Sequence, residues 1–433
     1  MMGEPEVMAG RDILSAPTAS SASPIVSPPA PWLAIVGLGE DGIDGLNAAA
    51  RRLIERAGLV VGGQRHLALA GALVKGETLV WPSPIHDAFP AIFARRSTPV
   101  CVLASGDPFC YGIGSVLAQH VPAAEWEVVA QPSAFSLAAA RLGWALQDVA
   151  TISLHGRPLA RIRSLLQPGA RILALAWDGT TPGKLAAMLA EHGFGASRIT
   201  TLECLGGPRE RVRASTAGDY DGGDCDPLVT IALEVVALPG ARVLPLASGL
   251  DDDLFAHDGQ ITKREIRALA LSALAPRQGE LLWDVGAGSG SVGIEWMLRH
   301  PSLKAVAIEA RAKRAARIRA NAESLGVPDL HVVEGPAPEA LTGLPPPAAI
   351  FIGGGASRPG VIEACWDALA EGGRLVVHAV TLETEAVITA ARTRHGGDLT
   401  RCSLERAEPI GRFHSWRAAM PVVQWRAVKG ARP

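Results

Sequence analysis

The chain has 433 residues, 48% of them hydrophobic and 19% charged, with a formal net charge of −2; at roughly 100–200 residues per domain this length accommodates two or three domains. The near-neutral charge argues against coating nucleic acid or an acidic membrane surface as the main work, and the hydrophobic content excludes a largely disordered chain. No uninterrupted apolar run reaches the roughly 20 residues of a membrane span, no basic segment followed by an apolar core opens the chain, and the six scattered cysteines form no C-x-x-C pair, so a cytoplasmic protein with reduced thiols and no metal is expected.

Residues 1–31 are rich in Ala, Ser and Pro and have no apolar period, so they read as a tail that cannot offset the entropy of ordering. Structure is expected from Trp32, where LAIVGLG forms a short buried-strand pattern ending in glycines. Further strands are expected at 100–105, 171–177 and 228–238, with a helix at 184–193 closed by Gly193. Strands alternating with helices indicate α/β architecture. This first domain is placed at 32–240. Its motifs are VGLGEDGIDGLNAAA (36–50), ASGDPFCYGIG (104–114), PSAFSLAAARLGW (132–144), SLHGR (153–157) and LECLGGPRERV (202–212). Each alone is weak, since a glycine turn after a strand needs no ligand.

Turn residues followed by three aspartates mark a linker at 241–253, and a second domain is placed at 254–430. Helices are expected there at 262–275, 291–300, 311–325 and 358–370. Strands are expected at 280–288, 304–310, 330–335, 348–355 and 374–380, followed by a further helix and two late strands ending in PVVQWRAV. No repeat of 20–50 residues is present.

The sharpest signal is LLWDVGAGSGSVGIE (281–295), an apolar strand running into Asp284 and then Gly286, Ala287, Gly288, Ser289 and Gly290. Such a turn brings backbone close to a ligand and leads into a helix with unpaired N–H groups. It can serve a nicotinamide dinucleotide or S-adenosylmethionine, or bind nothing. The dinucleotide fingerprint is G-x-G-x-x-G, whereas here the spacing is G-x-G-x-G, with Ser291 in the place of the third glycine. Glu309 ends the next strand, about 20 residues on, where a carboxylate can accept both ribose hydroxyls. The balance favours the methyl donor.

The segments HDGQITKREIRALAL, LWDVGAGSGSVGIEW and FIGGGASRPG together resemble the decarboxylating precorrin methyltransferases of cobalamin biosynthesis, over about 250–430. That resemblance implies a Rossmann-like class I methyltransferase domain. It places Thr262 and Gly286–Gly290 on the donor, Glu309 on its ribose and Ala337 near its adenine. The ordered motifs of 32–240 resemble the tetrapyrrole methylase family, in its precorrin C-5 methyltransferase branch. That family has a two-lobed α/β fold, which implies that Gly106, Asp107, Ser133 and Ala134 contact a second donor and that Gly37 and Gly39 face the substrate.

The fused order resembles the precorrin C5,15-methyltransferase (decarboxylating) family. The implied reaction takes precorrin-6B and two S-adenosylmethionine to precorrin-8X, methylating C-5 and C-15 and removing the C-12 carboxyl. The substrate carries many carboxylates, which Arg forks bind well. Lys263, Arg264, Arg267, Arg358 and Arg412 are the candidates in the second domain, each with a solvated helix face or loop as the plainer alternative; His155 and Arg157, just after a strand, are the candidates in the first, with local turn stabilisation as the equal alternative. His378, at the end of a late strand, is a candidate to protonate carbon after carbon dioxide leaves, against the plainer reading of a satisfied core histidine. A homo-oligomer is implied. A cobalt-containing precorrin, another methyl acceptor such as RNA, and a non-enzymatic tetrapyrrole carrier are the rival readings.

Overall fold

Strand-forming runs that are apolar at every position require cover on both faces, as in a parallel sheet flanked by helices. The computed structural model describes residues 31–223 and 225–430, so nearly all of the expected tail lies outside the described residues. The chain divides into two compact units, one through Gln131 and one from Pro132.

The first unit runs β1 (Leu33–Leu38), α1 (Ala48–Arg56), β2 (Leu59–Gly62), α2 (Gln64–Ala70), β3 (Glu77–Val80), α3 (Phe89–Phe93), β4 (Val100–Ser105), α4 (Ile113–Leu117) and β5 (Trp126–Val129). Its strands form one parallel sheet in the order β3-β2-β4-β1-β5. Every residue of β1 is buried. Ala34, Val36 and Leu38 join one core cluster, and Leu33 and Ile35 join another. This is the two-sided burial that the unbroken apolar run predicts.

The second unit opens with α5 (Ala134–Leu142), whose N-cap Ser133 accepts from the Ser136 amide. A mixed sheet follows, built of β6 (Val149–Ser153), β7 (Arg171–Leu175), β8 (Arg198–Glu203), β9 (Arg211–Thr216) and β10 (Val229–Glu234) in the order β6-β7-β10-β8-β9. Between β7 and β8 lies α6 (Thr181–Glu191). It starts a turn earlier than the sequence pattern indicates, because Pro182 is tolerated in a first helical turn and the Asp178 carboxylate accepts from the Thr180 and Thr181 amides. Gly193 follows its end with φ +84°.

The remainder contains α7 (Arg264–Leu274), β11 (Leu281–Val285), α8 (Ser291–Leu298), β12 (Lys304–Glu309), α9 (Ala312–Ser324), β13 (His331–Glu334), β14 (Ala349–Ile352), α10 (Val361–Ala368), β15 (Arg374–Ala379) and α11 (Leu382–His395). After α11 come β16 (Asp398–Cys402), β17 (Glu405–Ile410), β18 (Phe413–Ala418) and β19 (Val422–Val428). Seven of these strands form a sheet in the order β13-β12-β11-β14-β15-β19-β16, with β19 antiparallel to its neighbours. The order reverses at β11, so its carboxyl end is where an open α/β sheet leaves a crevice for a ligand.

Four strands follow α11, where the sequence pattern indicates two. β17 and β18 pair only with each other and are exposed at every position. With no buried face, no hydrophobic alternation marks them in the sequence. Residues 241–253 are tied down as well: Leu244 and Leu250 lie in one core cluster with Leu282 and Trp296. The Glu295 carboxylate accepts from the Gly249 and Leu250 amides at 2.7 and 2.9 Å.

Candidate active site

The glycine turn after β11 is built by close backbone approach. Gly286 has φ +69°, and a Cβ there would lie 2.5 Å from the Gly354 carbonyl oxygen. Only glycine meets both demands. The same approach joins two motifs far apart in sequence, GAGSG and FIGGG, and the Gly353 amide completes it by donating to the Val285 carbonyl at 2.9 Å. The Gly286 and Ala287 amides both donate to the Ile308 carbonyl, which fixes the turn against β12.

Glu309 ends β12 and is buried. Its carboxylate accepts from the Gly288 amide at 2.9 Å and from the Arg311 amide at 3.0 Å. The strand-end carboxylate therefore sits on the glycine turn itself. Its backbone carbonyl accepts from the Gly335 amide, which brings the turn carrying Ala337 alongside.

Asp284, the last polar residue of β11, is 1% exposed and accepts from the Gly293 amide at 2.9 Å. Burial, and secondarily the Glu309 charge, push its carboxyl up to about 7. The Ser289 hydroxyl is buried without a hydrogen-bond partner among the described residues. An orphaned hydroxyl inside a turn that a carboxylate closes fits a small polar ligand that supplies hydroxyl and charged groups. A buried strand-end carboxylate and an orphaned hydroxyl at one turn fit the ribose and charged amino-acid end of a methyl donor of the S-adenosylmethionine type.

Asn321 and Asp258 did not stand out in the sequence. Asn321 on α9 is buried and donates to the Ser289 and Ala256 carbonyls, while its side-chain oxygen accepts from the Ala256 amide. Asp258 pairs with Arg314 and Arg317, and these cations hold its carboxyl well below the usual range. Together they draw the segment before α7 over the glycine turn, where Gln260 contributes a carbonyl near Gly288. An asparagine on the apolar face of a helix was the available signal.

Thr262 lies in this segment, and its carbonyl accepts from Arg267 at 2.5 Å. Arg267 itself departs from expectation. It is 0% exposed and paired with the equally buried Glu295, so its guanidinium holds the fold together and is not offered to a substrate. Lys263 pairs with Asp252 at 3.7 Å, Arg264 with Asp251 and Arg358 with Glu339. Arg412 lies between β17 and β18, 5.1 Å over the Phe413 ring. His378 is buried, stands edge-on to Phe351 and bonds Gln424 Oε1 through Nε2 at 3.0 Å. Burial lowers its pKa.

In the first unit Gly37 and the loop of Gly106 and Asp107 come together. A Cβ on Gly37 would lie 1.9 Å from the Gly106 carbonyl oxygen. The Gly106 amide donates to the Leu38 carbonyl, and the Gly106 carbonyl accepts from the Gln131 amide, both at 3.1 Å. Asp107 folds back to accept from the Phe109 amide, and Gly39 continues the turn after β1. In the second unit, Ser133 and Ala134 begin α5, whereas His155 and Arg157 are exposed in the turn after β6. The second unit's glycine turn and these residues are far apart in the chain, and each group is placed by its own sheet.

Two family models match the chain, the tetrapyrrole (corrin/porphyrin) methylases over residues 33–221 and the precorrin methyltransferase domain over 253–429. A precorrin-6Y C(5,15)-methyltransferase [decarboxylating] from Sinorhizobium sp is 56% identical over 400 residues, 92% of this chain and 97% of that one. Its counterpart from Mycobacterium tuberculosis (strain CDC 1551 / Oshkosh) is 42% identical over 91% of this chain and 99% of its own length. The crystal structure of the C-terminal domain of the precorrin-6Y C5,15-methyltransferase from Rhodobacter capsulatus covers 43% of this chain and 100% of its own, at 48% identity and a TM-score of 0.41. With both domain models matched in order and relatives aligned almost end to end, the chain belongs to the precorrin-6Y C(5,15)-methyltransferase (decarboxylating) family.

Proposed function

We propose that the protein methylates precorrin-6B at C-5 and C-15 and decarboxylates its C-12 acetate to give precorrin-8X in cobalamin biosynthesis. The observation that carries this reading is the end-to-end relationship to relatives of that name, which runs through both units. Two S-adenosylmethionine molecules are used per chain. One is assigned to the Gly286–Gly290 turn with Glu309, Thr262 and Ala337. The other is assigned to the loop of Gly106 and Asp107, with Ser133 and Ala134 added on the resemblance alone. The boundaries 32–240 and 254–430 are kept for the two catalytic domains.

The bound donor supplies a methyl group already activated on a sulfonium. The chain's own task is to bind, align and exclude water. Glu309, held by two backbone amides, is set to accept hydroxyl hydrogens, and the Ser289 hydroxyl waits in the same turn for a polar partner. Decarboxylation breaks one carbon–carbon bond and leaves its electron pair in the conjugated macrocycle, so it needs a poorly solvated carboxylate more than a catalytic side chain. Burial favours neutral His378, which suits fixing Gln424 better than acting as the acid. Carboxylate binding falls to Lys263, Arg358 and Arg412, with Gly37, Gly39, His155 and Arg157 assigned to substrate in the first domain. Self-association is part of the reading on the resemblance; Ile410 and Phe413, directly opposite each other in the hairpin, are 62% and 64% exposed.

The test is to incubate precorrin-6B with the full chain and methyl-labelled donor. Mass spectrometry should show gain of two methyls and loss of carbon dioxide, with carbon NMR placing the label at C-5 and C-15. A product with unchanged mass, or with label elsewhere, overturns the reading.

A further inference from the structure

The carboxyl ends of β1, β2 and β4 carry a polar cluster outside the assigned donor sites. Glu40 follows β1, Arg65 and His66 open α2 just after β2, and Ser105 ends β4. Because β4 lies between β2 and β1, the three strand ends are neighbours. Arg65 pairs with the Glu40 carboxylate. Its Nη2 lies 2.9 Å from Ser105 Oγ and 3.0 Å from His66 Nε2, and those two atoms are 2.9 Å apart.

Counting hydrogens gives this triangle a direction. A guanidinium only donates. Burial, and then the Arg65 charge, lower the His66 pKa to about 4, so at neutral pH the imidazole is uncharged and carries one proton. Nε2 faces a donor nitrogen, so that proton sits on Nδ1, which is buried without a partner among the described residues. Two donors face the single lone pair of Nε2, Arg65 Nη2 at 3.0 Å and the Ser105 hydroxyl at 2.9 Å; the charged donor is the stronger and takes it, and the other Nη2 hydrogen goes to Ser105 Oγ. The seryl hydrogen then has no acceptor inside the triangle. Ser105 is exposed, so its O–H turns outward, and accepting from a cation makes it a stronger donor.

We propose that Ser105, polarised from behind by Arg65, is a seat in the first unit for one peripheral carboxylate of the tetrapyrrole. The seat rests on the methyl-transfer reading of that unit. It lies beyond the carboxyl ends of parallel strands, where ligands of open α/β sheets sit, and immediately precedes Gly106 of the assigned donor loop. Glu40 balances the guanidinium, so the carboxylate is recognised by a directed hydrogen bond and not by bare charge. His66 is a positioning residue: it holds the second arm of the fork so that one nitrogen serves both neighbours.

The test is steady-state C-5 methylation of precorrin-6B by the full chain, followed by carbon NMR of labelled product. Ser105→Ala should raise the KM for the tetrapyrrole about tenfold, the loss expected for one hydrogen bond to a charged group. It should leave kcat and the donor KM within about twofold, and C-15 labelling intact. Ser105→Thr keeps the hydroxyl and should recover most of the loss. If wild type labels C-5 and Ser105→Ala keeps its tetrapyrrole KM, or loses donor affinity instead, the seat is overturned alone. A wild-type chain that places no label on C-5 overturns the methyl-transfer reading, and the seat with it.

Discussion

Replacing Arg267 by Met removes one half of an ion pair whose two side chains are both fully buried. The loss has several parts. Glu295 is left buried without its guanidinium partner, with the Gly249 and Leu250 amides still donating to it, and Asp252 loses one of its two cations. The Thr262 and Leu250 carbonyls lose their guanidinium donors, and Phe255 loses the cation 4.7 Å above its ring. Breaking a buried pair from one side costs about 3–5 kcal/mol, because an uncompensated charge stays buried. With the unfolding entropy of a unit of this size, that lowers its thermal midpoint by roughly 5–8 °C. The assay is thermal unfolding of the full chain, following the transition of the second unit. The double variant Arg267→Met/Glu295→Gln removes the stranded charge but keeps an acceptor for the two amides, so it should recover at least half of the loss. A shift below about 2 °C for the single variant, or a double variant less stable than the single one, refutes a structural role for this pair and returns Arg267 to the substrate candidates.

Glu309→Ala removes a charged acceptor from the glycine turn; hydrogen bonds to charged groups contribute about 1.5–3 kcal/mol each, so calorimetry should show donor affinity in the second unit falling at least tenfold, with C-15 methylation lost and C-5 methylation retained. Gly37→Ala places a Cβ 1.9 Å from the Gly106 carbonyl oxygen; the 106–107 loop must shift, at a cost of about 1–3 kcal/mol, and C-5 methylation should fall while C-15 methylation persists. Asp284 gives a pH signature: its folded pKa, about 7, lies above its unfolded value, so the native state binds the extra proton and stability falls as pH rises from about 4 to about 7, by roughly 1 kcal/mol per unit. Asp284→Asn has no such proton, so chemical denaturation should show it gaining on wild type across that window and holding a constant difference above about pH 8; a difference independent of pH removes the buried-acid account.

The α/β class, the alternation of strands and helices after 254, and the pairing of a glycine turn with a strand-end acid were legible because each depends on neighbours within one or two turns of chain. An all-apolar run such as Leu33–Leu38 has few alternatives to a doubly covered strand, and a G-x-G-x-G turn followed by Glu309 marks a ligand edge wherever the sheet is built. Pairing across the fold left no such local trace. Nothing near Arg267 announces that Glu295, on another helix, will neutralise it, nor that Lys263, Arg264 and Arg358 will each meet a carboxylate. The hairpin β17–β18 was invisible for the opposite reason: with no buried face it carries no period. Likewise, Arg65, His66 and Ser105 become one cluster only because β4 pairs directly with β2. Backbone periodicity is written residue by residue and so can be read from the chain. Which charges are spent on the fold, and which remain for a ligand, is decided by distances that only tertiary packing sets.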